Sequence, residues 1–485
     1  MKKIIARDEE LKIFRKILSS KKAEFLAVYG RRRVGKTYII REFFSENSVL
    51  CEITGRKGEP MAQQLAEVAS SVGETFFKGV ALETPENWHK AFELILKNVK
   101  NEDEWKKKSF VLFLDELPWL STDRSDCVSA LDYYWNKYFS RLPHFKLIIC
   151  GSAASWMLDK IINAKGGLHN RLTQTLLLKP FDLTKTAQYL KYLGIRWSQK
   201  QILSLYMVMG GIPYYLDQLN SEDSLVQNIN RLCFTEGGLF QLEFSKLFTS
   251  LFDMAEENLS LVRAIASQNK GLSRAALLDK LNLSSGGALS ARLSELESAG
   301  FIKAYRPFGK TARDSFYRVI DEYVLFYLHW IEESLRSGHS FAEGYWETKQ
   351  NTPSFHSWSG FSFENICIKH VEKIRQKLGL NRIGCLYSSW FYSPPKGSDK
   401  TGAQVDLLID RDDGVISLCE IKYSDKVYVL DKATAKNIHN KADVFTEITH
   451  TTKQIEIVAV TTFGVKPGLW ADEVIQQEVQ ASDLF

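Results

Sequence analysis

The stretch FLAVYGRRRVGKTYIIREFF, residues 25–44, decides the fold of the first part of this 485-residue chain. Its apolar start predicts a buried strand, its glycine-bounded middle a tight loop, and its end a helix. The loop matches G-x-x-x-x-G-K-[ST] in full and in the strand–loop–helix context that this pattern requires. Backbone N–H groups of such a loop face phosphate oxygens at the positive end of the helix. The stretch therefore predicts a site for a nucleoside triphosphate, and the alternative is a chance glycine-rich turn.

The loop residues have distinct expected parts in nucleotide binding. Lys36 reaches the β- and γ-phosphates, which also makes it a predicted catalytic residue, and Thr37 offers its hydroxyl to Mg²⁺. The residues predicted to contact the nucleotide through the loop are Gly30, Arg31, Arg32, Arg33, Val34, Gly35, Lys36, Thr37 and Tyr38.

Short apolar runs alternate with helical patterns through residues 1–180, which predicts βαβ units and a parallel sheet. The runs are strongly apolar, as strands buried on both faces should be. The predicted strands are 25–29, 49–53, 110–114, 146–150 and 175–178. The fold class is therefore α/β.

Polar residues follow three of these strands, at the edge where ligands bind parallel sheets. Asp115 is predicted to hold Mg²⁺ through water, and Glu116 to orient or deprotonate the attacking water. Ser152 either hydrogen-bonds the γ-phosphate or the water, or caps a helix. Arg171 is either an arginine finger, in cis or toward a neighbouring copy, or an ordinary surface arginine.

Residues 181–254 lose the strand pattern and predict a helical lid broken at 210–213. Residues 255–335 predict three helices and a hairpin, the outline of a winged helix, whose recognition helix would span 284–299. Its core stripe is Leu289, Leu293 and Leu296, and its opposite face carries Ser285, Ser290 and Arg292. The hairpin is basic, with Lys303, Arg306, Lys310, Arg313 and Arg318. Phosphate contact and packing as a lid both remain open for this domain. Residues 336–358 are predicted to form a connector.

The last third of the chain contains a second chemical pattern, in residues 404–423. It predicts a β-hairpin turning at 412–414, in which Asp406 faces Glu420. Asp406, Glu420 and Lys422 then share one patch, while Val405, Leu407, Ile409, Cys419 and Ile421 form a core face. Two carboxylates suit a divalent metal, Mg²⁺ or Mn²⁺, and the lysine could position a water for attack on a phosphodiester. A cross-strand salt-bridge patch would use the same residues.

The length and composition of the chain limit the number of domains and the class of protein. At roughly 150 residues per domain the length predicts about three domains. The chain is 45% hydrophobic and 25% charged, which is typical of soluble globular proteins. A net charge of +5 does not by itself argue for nucleic acid. Neither a membrane span nor a secretory signal is predicted. The seven cysteines lack paired spacing, so we expect buried, reduced thiols in a cytoplasmic protein.

The order of the motifs ARDEEL (6–11), GRRRVGKT (30–37), FLDELPWL (113–120), CGSAASWM (150–157), NRLT (170–173) and GGIPYYL (210–216) resembles the AAA+/STAND-like ATPases of prokaryotes, common in archaea. The resemblance covers roughly residues 1–320 and implies ATP rather than GTP. It implies that Arg7 and Glu9 lie in a box near the adenine, although Asp8 departs from the usual glutamate. It also implies that Pro213 belongs to an element by which lid helices sense nucleotide; a simple helix break is the alternative.

Residues 360–465 resemble the PD-(D/E)xK nuclease superfamily through Asp406, Glu420 and Lys422. Glu364 matches the glutamate that these domains often carry on their first helix, which implies a third metal ligand. The expected organisation is an ATPase core (1–180), a helical lid (181–254), a winged helix (255–335), a connector (336–358) and a nuclease-like domain (359–485). The resemblance implies an ATP-controlled, metal-dependent nuclease acting on DNA, possible as a homo-oligomer. The alternatives are a signalling or scaffold switch and a DNA-binding regulator with a silent nuclease-like domain.

Overall fold

The computed structural model describes residues 4–101, 108–122, 125–163, 167–283, 286–311, 314–336, 341, 344–395, 397 and 401–485. The chain forms two compact units. The first comprises Met1–Pro180, Ile212–Tyr214 and Ser294–Gly300, and the second comprises Phe181–Gly211, Tyr215–Leu293 and Phe301–Phe485.

The first unit is built on a parallel sheet whose five strands agree with the predicted ones to within a residue at each end. The strands are β1 (Glu24–Tyr29), β2 (Val49–Thr54), β3 (Phe110–Asp115), β4 (Phe145–Gly151) and β5 (Gln174–Leu177). Their spatial order is β2-β3-β4-β1-β5, and every neighbouring pair is parallel. The order places β4 between β1 and β3, so the residues that follow these three strands lie side by side.

Helices surround this sheet, as the apolar strands require. They are Asp8–Ser19, Lys36–Asn47, Met61–Phe77, Trp88–Asn101, Leu117–Leu120, Cys127–Lys137 and Ala154–Met157, with short helical turns at Phe139–Arg141, Leu158–Ile162 and Gly167–Arg171. One continuous hydrophobic cluster joins strand residues such as Phe25, Leu112 and Leu147 to helix residues such as Trp88 and Trp135. This packing holds the carboxyl edge of the sheet rigidly.

The second unit begins with helices and continues with a winged-helix outline. Its helices are Leu183–Tyr192, Gln199–Met209, Leu225–Ile229, Leu239–Leu251, Ala255–Ala266, Arg274–Lys280, Glu322–Phe326, Glu332–Arg336, Tyr345–Lys349, Pro353–Lys369, Val371–Lys377, Lys432–Thr449 and Leu469–Val474, with turns at Asn230–Phe234, Tyr327–Ile331 and Ala481–Leu484. Two further helices, Pro213–Leu216 and Gly286–Ser298, cross the boundaries between the units.

The predicted hairpin is present and gains a third, short strand. Strands β6 (Leu272–Ser273), β7 (Ile302–Tyr305) and β8 (Phe316–Val319) form an antiparallel sheet in the order β6-β8-β7. The expected core stripe of Leu289, Leu293 and Leu296 is buried. Ser284, Ser285 and Arg313 lie outside the described residues. Arg318, grouped with the phosphate-contacting cations of the wing, is instead buried, because it lies on β8 where the hairpin packs against other parts of the second unit.

The C-terminal part contains a mixed sheet in the order β13-β12-β11-β10-β9. Its strands are β9 (Cys385–Tyr392), β10 (Ala403–Arg411), β11 (Val415–Lys422), β12 (Gln454–Thr461) and β13 (Gln477–Gln480). Strands β10 and β11 pair antiparallel with Leu407 opposite Cys419, the register that the sequence predicts.

A β-bulge interrupts β10 at the first of the predicted acids. Against β9, Val405 pairs with Trp390 and Leu408 with Ser388, so Asp406 and Leu407 together oppose one residue. Val405 and Leu408 pack in the same hydrophobic cluster although they are three positions apart. Strict alternation of faces therefore fails here, and the bulge rather than the alternation directs Asp406.

The segment predicted as a connector contains helical structure where it is described. Tyr345–Lys349 is a helix, and Pro353–Lys369 begins within the segment, with Thr352 capping its first turn. No helix among the described residues is long and apolar enough to cross a membrane. The seven cysteines are unpaired and six are buried, as expected.

The glycine at the helix break makes a close backbone contact that a side chain would prevent. Phe181 N donates to Gly211 O at 2.7 Å, and a Cβ on Gly211 would lie 1.9 Å from Phe181 O. We expect Gly211→Ala to lower the free energy of unfolding by about 1–3 kcal/mol, measured by denaturant melts. The control is Gly287→Ala, where nothing lies within 4 Å of the added carbon. Equal stability of the two variants would contradict the packing argument.

Candidate functional site

The backbone of the phosphate loop surrounds the ammonium group of Lys36. Gly35 has φ +88°, a left-handed conformation that favours glycine, and the helix Lys36–Asn47 begins directly after it. Lys36 is buried, and its Nζ donates to Gly30 O at 2.9 Å, Arg31 O at 3.0 Å and Ser152 Oγ at 2.9 Å. The ammonium is thus held inside the loop, where the phosphates of a nucleotide would meet it.

Thr37 and Asp115 meet beside the loop. Thr37 Oγ1 donates to Asp115 Oδ2 at 2.8 Å, although β4 separates the strands that lead to them. Burial, together with the neighbouring Glu116 carboxylate, raises the pKa of Asp115 to about 6. A hydroxyl and a carboxylate are oxygen ligands suited to Mg²⁺, and a divalent cation would stabilise the ionised carboxylate that burial disfavours. The donor set therefore fits the predicted Mg²⁺ site.

Glu116 is held in a defined position. Its backbone is left-handed, with φ +48°, a strained conformation for a residue other than glycine. Its carboxylate accepts hydrogen bonds from Ser152 N at 2.9 Å and from Ser152 Oγ at 2.5 Å. Ser152 does not cap the helix Ala154–Met157, whose N-cap is Ala153. Ser152 therefore links Lys36 to Glu116, which the strand order makes possible.

Arg7 lies beneath the loop and holds its backbone. It is buried, and its guanidinium donates to Val34 O at 3.0 Å, Lys179 O at 2.9 Å and Glu10 Oε1 at 3.0 Å. The acid that pairs with it is Glu10, whereas Glu9 is exposed and pairs with Lys12. The helix that begins at Asp8 turns position 10 inward, and the place of Glu9 near the adenine stays a prediction. Sequence reasoning missed Glu10.

Removal of Arg7 should destabilise the first unit and disturb the loop. We expect Arg7→Ala to lower the free energy of unfolding by roughly 3 kcal/mol, because buried Glu10 loses its cation. Affinity for ATP should fall as well, since Val34 O loses its donor. Thermal melting and nucleotide titration measure the two effects. Arg15→Ala, at an exposed position of the same helix, serves as the control; a similar melting curve for both variants would refute the role of Arg7.

The segment after the helix break touches the loop within the first unit. Tyr214 N donates to Arg33 O at 3.5 Å, and the Arg33 guanidinium lies 3.9 Å from the centre of the Tyr214 ring. Pro213 begins the short helix Pro213–Leu216 next to this contact. Sequence reasoning quoted Tyr214 within the motif GGIPYYL but assigned it no role, since the motif pointed only to the proline.

The remaining predicted nucleotide-site residues differ in exposure. Arg31 and Val34 are buried, whereas Tyr38 and Arg171 are exposed. Arg32 is half-buried. Arg171 ends the turn Gly167–Arg171, and its role as an arginine finger, in cis or toward a neighbouring copy, stays a prediction.

The C-terminal acids form two neighbouring groups. Glu420 binds two lysines, with Lys422 Nζ and Lys441 Nζ each 2.8 Å from one of its carboxylate oxygens. Burial alone would raise the pKa of Glu420, but Lys422 and Lys441 together lower it. Lys441 comes from the helix Lys432–Thr449 and was not predicted; its distance from the hairpin in sequence gave no signal.

Glu364 and Asp406 form the second group. Burial and the nearby Asp406 carboxylate together raise the pKa of Glu364 to about 7, although Arg318 and Lys422 oppose the rise. Asp406 lies in the bulge, half-buried, and accepts a hydrogen bond from Gln404 Nε2 at 2.7 Å. Glu364 therefore lies close enough to Asp406 and to Lys422 for their charges to shift its pKa.

The predicted metal ligands of this domain do not form a metal site as they stand. Within the part of the chain that the structure describes, no group of three or more His, Cys, Asp or Glu residues is arranged to hold a metal ion. The carboxylate oxygens of Glu420 are both engaged by lysines. Only the pairing of Glu420 with Lys422 is assembled as the hairpin predicts.

A phosphate loop on an interior strand of a five-stranded parallel sheet, with Asp115 and Glu116 beside it, defines the first unit as an α/β P-loop NTPase. Residues 4–219 match the family described as an ATPase domain predominantly from Archaea. The chain therefore carries an archaeal-type ATPase domain.

The chain is also similar to individual proteins and solved structures. The uncharacterized protein MJECL04 of Methanocaldococcus jannaschii is 23% identical over 426 residues, which cover 87% of this chain and 88% of that protein. The Walker-type ATPase PABY2304 of Pyrococcus abyssi aligns with 67% of this chain and 96% of its own, at 19% identity and a TM-score of 0.49. The ORC2 protein of Aeropyrum pernix aligns with 70% of this chain and 96% of its own, at 14% identity and a TM-score of 0.43.

Proposed function

We propose that this chain binds ATP with Mg²⁺ through the first unit and hydrolyses it. The observation that carries the proposal is the connected group in which Lys36 donates to Ser152 and Ser152 donates to Glu116. A phosphate-binding cation and a candidate general base are thereby joined through one hydroxyl. Such a group can hold a phosphoryl oxygen and an attacking water in a fixed relation.

In the proposed reaction Lys36 turns from the loop carbonyls to the phosphate oxygens, whose negative charge replaces the partial charges of Gly30 O and Arg31 O. Ser152, released from Lys36, is free to contact the γ-phosphate or the water. Glu116 accepts the proton of the water as the water oxygen attacks the γ-phosphorus in line. The bond from that phosphorus to the bridging oxygen breaks, and ADP leaves with the bonding electrons. Thr37 and Asp115 would hold Mg²⁺, which neutralises developing charge on the phosphates when it is bound.

The direct test is phosphate release from ATP by the full chain with Mg²⁺, with and without EDTA. Turnover that needs Mg²⁺ is the expected result, and a chain that neither binds nor hydrolyses ATP would overturn the proposal. GTP at equal concentration tests the preference for adenine, which rests on the family resemblance. Turnover of GTP equal to that of ATP would remove that part of the proposal.

A second candidate function concerns the C-terminal part of the second unit. We infer that it acts on DNA, as a nuclease controlled by the nucleotide state. The support is the half-buried combination of Glu420 with Lys422 and Lys441, next to Glu364 and Asp406. Sites of chemistry concentrate carboxylates and lysines whose pKa values are shifted by burial and by each other. Among the described residues, these carboxylates are not arranged to hold a metal ion.

The nuclease proposal predicts that cleavage depends on Glu420. We expect Glu420→Gln to lower cleavage of plasmid or single-stranded circular DNA, in Mg²⁺ or Mn²⁺, on the order of 100-fold or more. Gel electrophoresis with and without ATP measures both the cleavage and its control by nucleotide. The matched control is Glu473→Gln, an exposed position in the same domain.

Two results would redirect this second proposal. Equal cleavage by wild type and Glu420→Gln would remove the assignment of the nuclease site. Salt-dependent DNA binding without any cleavage would favour a DNA-binding regulator with a silent nuclease-like domain. Neither binding nor cleavage, together with slow ATP turnover, would favour a signalling or scaffold switch.

A further inference from the structure

A cavity of about 660 Å³ lies within the second unit, between the hairpin β7–β8 and the C-terminal sheet. Its two walls are joined by direct contacts. Phe308 N donates to Ser389 O at 2.7 Å, and the rings of Phe316 and Phe391 lie 5.4 Å apart. The hairpin therefore packs against the sheet on either side of an open space, rather than projecting into solvent as an independent wing.

A buried guanidinium lines this space with an unused donor. Arg318 is 6% exposed, and its only hydrogen bond to a described residue is a long one, from Nη1 to Asn365 Oδ1 at 3.5 Å. Within the described chain, Arg318 Nε has no hydrogen-bond partner. The guanidinium lies 5.5 Å from the ring centre of Tyr305 and 5.6 Å from that of Phe361. Among the described residues no carboxylate forms an ion pair with Arg318, although Glu364 lies near enough for the two charges to interact. A buried cation held only in this way is stabilised by a further group that supplies hydrogen-bond acceptors and negative charge.

Asn365, beside Arg318, is a second buried residue with a hydrogen-bond donor that no described residue satisfies. It is 3% exposed and lines the same cavity, and its Nδ2 has no partner among the residues that the structure describes. A buried amide donor left unsatisfied costs free energy in the empty state. An amide and a guanidinium with donors facing one cavity are matched by a ligand that brings several oxygen acceptors and negative charge, and a phosphodiester has both.

The other residues that line the cavity also suit a nucleic acid. Lys303, Arg306 and Lys310 are exposed cations on the hairpin side of the cavity. Tyr305 and Tyr387 supply aromatic surface. Cations that follow a backbone together with rings that stack on bases are the combination by which proteins bind single-stranded nucleic acid. The volume is in the range of small-ligand sites and is far too small for a base-paired duplex.

We propose that this cavity binds a single strand of nucleic acid, with a phosphodiester on Arg318 and Asn365 and a base against Tyr305. The inference rests on the proposed action of the C-terminal part on nucleic acid, and it adds the strandedness of the substrate. Asp406 lines the same cavity. A strand bound there passes Asp406, which lies in the bulge of β10.

The test measures binding alone, by fluorescence anisotropy in EDTA with the full chain. The probes are labelled oligo-dT, oligo-rU and a blunt DNA hairpin duplex of equal length. We expect at least 10-fold tighter binding of a single strand than of the duplex. The better of the DNA and RNA probes identifies the sugar that the cavity prefers. Equal affinity for single strand and duplex would overturn the inference.

Two variants locate the binding at this cavity. Arg318→Gln should weaken single-strand binding at least 10-fold. Because a buried position can disturb folding, the exposed pair Lys303→Glu and Arg306→Glu provides an independent test with the same expected loss. Arg196→Glu reverses an exposed charge outside the cavity and should leave affinity unchanged. If the double variant with Lys303→Glu and Arg306→Glu binds single strands with wild-type affinity, the inference fails.

The assay separates this inference from the nuclease proposal. Binding in EDTA, repeated with Glu420→Gln, needs no cleavage. Selective single-strand binding in a chain that never cleaves would sustain the cavity assignment and reject the nuclease. The opposite result is cleavage that depends on Glu420 while the Lys303→Glu and Arg306→Glu substitutions leave the affinity for single strands unchanged. That result would support the nuclease proposal and reject the cavity as the binding site.

Discussion

Lys36→Ala is expected to reduce ATP turnover by roughly 100- to 1000-fold and to weaken ATP binding. The physical reason is that Lys36 is the buried cation of the loop, held by Gly30 O, Arg31 O and Ser152 Oγ. Without it the loop carbonyls face the phosphates with no positive side chain between them. Phosphate release measures turnover, and titration with a fluorescent ATP analogue measures affinity.

The control for this variant is Lys12→Ala. Lys12 is exposed and pairs only with Glu9 among the described residues, so its loss should leave both measurements unchanged. A thermal melt identifies any loss of folding in Lys36→Ala, and Lys36→Met, which keeps the apolar stem, repeats the test with less change in volume. Wild-type turnover in both Lys36 variants would remove the phosphate loop from the reaction.

Glu116→Gln is expected to keep ATP binding and to lose turnover by about 100- to 10,000-fold. Glutamine preserves the shape of the side chain: its Oε1 can accept from Ser152 N, while its Nε2 would donate to Ser152 Oγ, reversing that second hydrogen bond. It cannot take a proton from the attacking water. Single-turnover hydrolysis and equilibrium binding, measured on the same preparation, separate these two effects.

Glu74→Gln provides the matched control for Glu116→Gln, because Glu74 is exposed on the helix Met61–Phe77. It should behave as wild type in both measurements. Loss of binding and turnover together in Glu116→Gln would indicate that Glu116 shapes the site rather than acting on water. Unchanged turnover would exclude it as the base.

Much of the first unit could be predicted from local patterns. Each predicted strand of the parallel sheet is present, because a buried parallel strand is an apolar run that needs no partner to be recognised. The same holds for the hairpin of β10 and β11, where a short turn sets the register of Leu407 opposite Cys419.

Other parts of the site depend on contacts between residues far apart in the chain. Glu10 and Tyr214 lie inside quoted motifs that assigned them no role, and Lys441 lies in no motif, yet they contact Arg7, Arg33 and Glu420 respectively. Nothing in their immediate neighbours distinguishes them from ordinary helix residues. The helices in the predicted connector were missed because Ser, Gly and Pro there suggested a loop, although Thr352 and Pro353 in fact start a helix.

The sequence by itself determined that this protein has a phosphate loop, a parallel sheet and an acid–lysine hairpin, since each is specified within about 20 neighbouring residues by spacing and turn chemistry. Only the tertiary structure decided that Ser152 joins Lys36 to Glu116, because that contact requires β4 to lie between β1 and β3. Only the tertiary structure placed Arg318 in a cavity, because its burial comes from the packing of the hairpin on a sheet about 90 residues later in the chain.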